Sequence, residues 1–221
     1  FLKDIVAEAI TELLQFTGEL DKTELSIDDR VQLESLKLDL DTLIVLTNEI
    51  LEFEDKRLLL LNDFDSVRIQ IDTILDEEPE TEILKRIEDD NDKRLVASIE
   101  MEVKINDITN SIFATMEEIP ESTPLEEDIK EFQRFKEQYS ALVKTDVGRE
   151  SISKLDELFV KYESIGEQLI EVHTEKENRV QERRDLFNED IKETLLEKLK
   201  PGLNPSDVDY KVKSEALNQI E

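Results

Sequence analysis

The stretch from residue 27 to residue 76 constrains the fold of this chain most strongly, because its apolar residues recur at steps of three and four throughout. Such steps return to the same side of an α-helix. The stretch is therefore predicted to be one long helix whose apolar seam packs against other helices. Arg57 is the one polar position of the seam. Its apolar positions are Leu33, Leu36, Leu40, Leu43, Leu46, Ile50, Phe53, Leu60, Phe64, Val67, Ile71 and Ile74.

The apolar surface of this helix is wider than a two-stranded coiled coil can cover. Nine further residues lie beside the seam, namely Leu38, Ile44, Val45, Leu51, Leu58, Leu59, Leu61, Ile69 and Leu75. A stripe of this width is typical of a helix in a three- or four-helix bundle, so we expect more than one neighbouring helix to cover it. Fifty helical residues extend for about 75 Å, which predicts an elongated molecule.

The composition supports an all-α fold. Apolar residues make up 38% of the chain and charged residues another 38%, a balance that suits amphipathic helices. Four glycines and five prolines supply few of the tight turns that join strands. The chain has no cysteine, which excludes a disulfide or a thiolate metal site and fits a reducing compartment.

Five helices are predicted, over residues 2–17, 27–76, 81–118, 124–145 and 150–200, followed by a turn and a short helix over 201–221. Gly18 is placed to end the first helix as a C′ glycine. Ser26 with Asp29 three residues later predicts a capped start of the second helix. Pro79 is expected to end that helix, because the residue before a proline avoids the helical conformation.

Three further boundaries follow from local signals. Thr123 as N-cap and Pro124 at the first helical position predict the start of the fourth helix. The acidic run at 88–92 interrupts the third helix and is compatible with a solvated bulge, a break or a trimmed loop. The stretch 145–149 contains Gly148, so it is either a turn or part of a continuous helix.

Helices of these lengths with short connections should run antiparallel. We therefore expect residues 1–200 to form one elongated antiparallel helical bundle, or coiled-coil rod. In shape it resembles spectrin-like modules. The chain has no tryptophan, the usual anchor of a spectrin repeat, so the resemblance stops at shape.

Nothing in the sequence predicts catalysis, a cofactor or a metal site. The single histidine, His173, has Ile170 where a Glu-x-x-His motif of a di-iron bundle needs glutamate. The acidic run starting at Asp89 has Arg94 where a calcium-binding EF-hand loop needs glycine. Glycine-rich phosphate loops are absent from the sequence. We expect a protein that is not an enzyme.

Two features are candidate functional positions. Arg57 either fixes helix register by pairing with a carboxylate on a facing helix, or extends to the rim of the seam with its stem packed. The second feature follows the polar stretch 173–185, which is predicted to bridge packed regions. Beyond it, a second apolar stripe is expected to face either a partner chain or the first and last helices; its residues are Phe187, Ile191, Leu195 and Leu199.

The net charge of −29 opposes binding to nucleic acid or anionic membranes, and no apolar run is long enough to span a bilayer. We expect a structural or scaffold subunit of a cytoskeletal, kinetochore or tethering assembly, which binds other helical proteins or a second copy. Its expected location is the cytoplasm or nucleus, with a cytoskeletal association. The alternative is an acidic chaperone for basic clients such as histones, and after it a membrane-curving helical dimer. The start at Phe1 suggests a fragment or a processed chain.

Overall fold

The computed structural model describes residues 2–22, 25–83, 89–117 and 124–194, and nearly all of them are helical. Within these ranges there are five α-helices and no strand: α1 (Leu2–Leu20), α2 (Ile27–Ile83), α3 (Asp89–Met116), α4 (Leu125–Leu142) and α5 (Asp146–Asp185). A π-helical turn, Leu186–Ile191, follows α5 directly. The prediction of an all-α helical bundle is confirmed.

The chain packs into two compact units where the sequence predicted one bundle. Unit 1 comprises Phe1–Glu54 and Glu175–Glu221, and unit 2 comprises Asp55–Thr174. The two longest helices, α2 and α5, each contribute residues to both units. Each unit has a hydrophobic core of its own.

The core of unit 1 brings α1 and the first half of α2 together with the π-helical turn. Its buried members are Ile10, Leu13, Leu33, Leu36, Leu40, Leu43, Phe187 and Ile191. The four leucines of α2 in this set belong to the predicted seam. The seam therefore faces inward here, as expected.

The core of unit 2 is formed by α2, α3, α4 and α5, and aromatic rings occupy its centre. Phe64 stacks on Tyr162 with ring centroids 4.3 Å apart. Phe132 stacks on Phe159 at 3.9 Å. The buried Tyr162 hydroxyl donates a hydrogen bond to the Ile105 carbonyl oxygen at 3.2 Å. Stacked phenylalanine and tyrosine thus fill the positions between the helices in a chain without tryptophan.

Helices α3 and α5 approach each other closely at Gly166 of unit 2. A Cβ atom at this position would lie 2.5 Å from Cδ1 of Ile112. Real Cβ contacts are longer, so any larger residue requires Ile112 to move. The glycine therefore permits a close approach of the two helices and does not form a turn.

The predicted helix starts agree well with the structure. The backbone N–H of Asp29 donates to Ser26 Oγ at 3.1 Å, and the Ser26 hydroxyl donates to the Asp29 carboxylate at 2.6 Å. This capping interaction is confirmed. Thr145 caps α5 in the same way, because its Oγ1 accepts from Gly148 N at 3.1 Å. The turn expected at 145–149 lies at 143–145, and α5 begins at Asp146 rather than at residue 150.

The predicted helix ends are less accurate. Gly18 does not end α1, which continues to Leu20, because a glycine is tolerated inside a helix at a modest entropic cost. Pro79 does not end α2, which continues to Ile83. A proline inside a helix removes one hydrogen bond and costs about 3 kcal/mol, a penalty that a long packed helix can carry.

The third and fourth helices begin later than predicted. Helix α3 is described from Asp89 onward, so residues 89–92 of the acidic run are helical, while residue 88 lies outside the described residues. Pro124 is the N-cap residue of α4 rather than its first helical residue. Thr123, the expected end at 200 and the tail 201–221 lie outside the described residues.

Candidate interaction surface

Much of the apolar surface beside the seam of α2 stays exposed after the units have formed. Five of the nine residues are exposed, namely Leu38, Val45, Leu58, Leu59 and Ile69. The sequence predicted that neighbouring helices would cover all nine. The expectation is wrong for these five, because the other helices pack on the seam itself and leave the opposite side of α2 open. Large exposed apolar side chains that form a continuous surface mark interaction sites.

In unit 1, two of these residues, Leu38 and Val45, form one surface together with the exposed Val31, and we name it the α2 face. Val31, Leu38 and Val45 are spaced seven residues apart, and they are 62%, 67% and 55% exposed. Seven residues are close to two helical turns, so the three side chains form one column along the helix. Glu34 and Asp41 are exposed and lie three residues after the first two. The α2 face is thus an apolar column beside an acidic column.

Lys37 is the nearest basic side chain to the acidic column. Its ammonium group lies 2.9 Å from carboxylate oxygens of both Glu34 and Asp21. These hydrogen bonds, the one to Glu34 first, raise the pKa of Lys37. Lys37 therefore joins α2 to the chain segment after α1, while the side chain of Glu34 remains 69% exposed.

A second exposed apolar surface lies on α3 in unit 2, and we name it the α3 patch. It consists of Leu95, Val96, Ile99 and Val103, which are 41–57% exposed. The core side of α3 carries Ala97, Met101, Ile105 and Ile108 instead. Leu95 and Ile99 lie outside this core, because the buried residues follow a different column of the same helix.

The polar stretch of α5 is held to α2 within unit 1 by ion pairs. Lys176 pairs with Glu54 at 3.2 Å, and Arg179 pairs with Glu49 at 2.9 Å. A hydrogen bond to Glu182 raises the pKa of Arg179. Along the sequence, the stretch separates the residues of one hydrophobic core from those of the other.

Phe187 and Ile191 do not form an exposed stripe. Both are buried against residues of α1 and α2 in the core of unit 1. The sequence left two alternatives for what these residues face, a partner chain or the first and last helices. In the structure both residues belong to a core that includes residues of the first helix. The other two members of the predicted interface, Leu195 and Leu199, lie outside the described residues.

Arg57 is half-buried in α2, at the first residues of unit 2. Its side chain has at least one interaction partner. Half-burial suits both the register role and the packed stem that extends to the rim. The register role stays a prediction.

A lysine and three carboxylates join α3 to α4 in unit 2. Lys104 Nζ lies 2.7 Å from Glu131 and 3.7 Å from Asp128, and it also pairs with Asp107. The buried Asp128 accepts a hydrogen bond from Ser111 Oγ at 2.8 Å. Hydrogen bonds to Asp107 and Glu131 raise the pKa of Lys104, and Lys104 lowers the pKa of Glu131.

This cluster acts as a clamp between helices rather than as a proton acceptor. A lysine with a raised pKa stays protonated at neutral pH, so it does not serve as a general base. The sequence did not single out the cluster, because acidic residues are so frequent in this chain. The signal in the sequence that could have identified the cluster is the position of Lys104 beside the buried column of α3.

No group of three or more histidine or carboxylate side chains is arranged to hold a metal ion in the part of the chain that the structure describes. Among the same residues, no helix is both long and apolar enough to cross a bilayer. No known protein family, curated protein or solved structure matches this chain.

Proposed function

We propose that this protein is a non-enzymatic structural subunit that binds other helical proteins within a larger assembly. The observation that carries the proposal is the apolar surface left open on the outer sides of α2 and α3. These side chains do not belong to the buried cores of the two units among the residues that the structure describes. Their exposure is unfavourable in water, and a bound helix would relieve it.

The geometry of the α3 patch supports helix binding in particular. Ile99 lies four residues after Leu95 and three after Val96, and Val103 lies four residues after Ile99, so the side chains form one stripe along the helix. A partner helix contacts such a stripe with residues at i, i+3, i+4 and i+7. Burying four aliphatic side chains can supply several kcal/mol, at about 1.5–3 kcal/mol each before the costs of association.

The test is purification of the natural complex followed by mass spectrometry. The unaltered chain is compared with Val96→Gln/Ile99→Gln/Val103→Gln in the α3 patch. Glutamine keeps the net charge and forms helices well, so the melting temperature should be preserved. We expect a defined set of proteins to accompany the unaltered chain and to be lost from the variant.

Two results would contradict the proposal. The first is the absence of any accompanying protein at natural expression levels. The second is a set of accompanying proteins that survives the glutamine variant and dissociates with moderate salt. That pattern indicates binding of basic clients through charge alone, which is the behaviour of an acidic chaperone.

A further inference from the structure

The α2 face of unit 1 specifies the chemistry of its partner more closely than the α3 patch does. Its apolar column, Val31, Leu38 and Val45, has the seven-residue repeat of a coiled coil. The column is about 21 Å long at 1.5 Å per residue. The positions three residues after Val31 and Leu38 are Glu34 and Asp41, where an ordinary coiled coil has a second apolar residue. The α2 face is therefore half apolar and half acidic.

The charge of the surrounding helix has the same sign. Residues 27–54 of α2 contain eight acidic residues, of which Asp28, Glu34, Asp41 and Glu52 are exposed. The same stretch contains two basic residues, Arg30 and Lys37. Lys37 already pairs with Glu34 and Asp21. A partner helix that approaches this face meets a negative field along its length.

A second copy of the same face is a poor occupant. Parallel pairing would place Glu34 and Asp41 against their own copies, which repel each other. Antiparallel pairing would place Leu38 against a carboxylate and remove that carboxylate from water without a partner. Both arrangements are unfavourable, so the face selects a different chain.

We infer that the α2 face binds an amphipathic helix of a partner protein that carries an apolar column beside a lysine or arginine column, both at seven-residue spacing. The apolar column of the partner packs on Val31, Leu38 and Val45. Its basic column pairs with Glu34 and Asp41. This inference rests on the proposed function and names the chemistry of one partner.

The probe is a synthetic helix of about 21 residues, three heptads, with leucine in one column and lysine in the next. Binding to the full chain is measured by calorimetry at moderate salt. One control peptide replaces the lysines with glutamate, and another keeps the lysines and replaces the leucines with glutamine. We expect binding of the first peptide alone.

The matched protein variants are Leu38→Gln/Val45→Gln in the α2 face and Leu59→Gln elsewhere on α2. All three residues are exposed, so the melting temperature should stay unchanged in both variants. The double variant should weaken binding of the leucine–lysine peptide about tenfold or more, and Leu59→Gln should not. Asp41→Asn should weaken binding and reduce its dependence on salt.

Three results would overturn the inference. Equal binding of the lysine peptide without leucines would mean general attraction to an acidic chain. Equal binding of the glutamate peptide would mean that charge does not select the partner. A dimer of this chain that dissociates on Leu38→Gln would make a second copy the occupant. If the peptide fails while natural partners are still lost from the α3-patch variant, only this inference is wrong.

Discussion

The two glycines for which the structure shows the surrounding space illustrate how one residue type serves different purposes. Gly18 lies inside α1, and nothing comes within 4 Å of a Cβ atom placed there. Gly166 lies inside α5 against Ile112, where the same atom would be too close. Glycine costs helix stability at both positions, but it relieves a packing conflict at one of them only.

Alanine substitution should therefore have opposite effects at these positions. Gly18→Ala should raise the free energy of unfolding by about 0.5–1 kcal/mol through the better helix propensity of alanine. Gly166→Ala should lower it by about 1 kcal/mol, since overpacking outweighs that gain. Urea unfolding measures both. Equal stabilisation by the two substitutions would show that Ile112 repacks without cost.

A second residue-scale prediction concerns Asp72 on α2. One carboxylate oxygen lies 3.3 Å from Arg68, while the other is buried without a hydrogen-bond partner. Burial raises the pKa of Asp72 above its usual value, with Arg68 acting in the opposite direction. The folded state then takes up this proton at higher pH than the unfolded chain does. The ionised group opposes folding above its folded pKa, and its contribution improves as the pH falls through that window.

Asp72→Asn should thus increase stability at about pH 7 and lose this advantage as the pH approaches about 4. Denaturant unfolding at several pH values tests the trend. The control is Asp65→Asn, which removes a more exposed partner of Arg68 and should change stability little. Destabilisation by Asp72→Asn at neutral pH would mean that the pair with Arg68 outweighs the burial cost.

At the scale of the elements, α5 changes character twice along its length. Its first part is buried in unit 2, its polar stretch pairs with α2 through Lys176 and Arg179, and the π-helical turn then enters the core of unit 1. A helix that is polar on all sides is stable where charged partners accompany it. Here those partners come from α2.

Phe187→Ala in the π-helical turn should cost about 3–5 kcal/mol, because it empties a buried site between α1 and α2. Hydrogen exchange should show the loss of protection in α1 and in the first half of α2. Leu38→Ala, on the exposed face of the same unit, serves as the control and should cost far less. Normal stability of the Phe187→Ala variant would contradict a role of Phe187 in the core and would favour the alternative that it contacts a partner chain.

The elements show which signals in the sequence are decisive. Ser26 predicted the start of α2 correctly, because an N-cap is made by residues three positions apart. Gly18 and Pro79 gave wrong predictions of helix ends, because the residue at which a helix ends depends on the balance between small local costs and the stabilisation from packing. Neither the burial of Phe187 nor the outward position of Ile99 follows from periodicity, since both depend on contacts with distant helices. Of the two surfaces, the sequence indicated the extra width of α2 and missed the α3 patch.

The whole molecule carries 57 acidic and 28 basic residues. Several of the basic side chains hold helices together within one unit, as Lys104 and Lys176 do. The remaining carboxylates repel one another across the helical surfaces. The elongated shape expected from the length of α2 stays a prediction, which small-angle scattering would measure.

Moderate salt should raise the melting temperature, since screening weakens this repulsion more than it weakens partly buried ion pairs. Mild acid should act in the same direction at first. Thermal unfolding followed by circular dichroism over a salt series provides the measurement. A melting temperature that falls steadily as salt is added would show that the ion pairs between helices dominate.

The aromatic centre of unit 2 has a practical consequence for spectroscopy. The chain has no tryptophan and three tyrosines; Tyr139 and Tyr162 are buried in unit 2, and the third is Tyr210. Burial raises the pKa of Tyr162, so its tyrosinate absorbance should develop later in an alkaline titration than that of a free phenol. Replacing Tyr210 with phenylalanine would restrict tyrosine emission to unit 2. The protein would then carry its own optical label for one of its two cores.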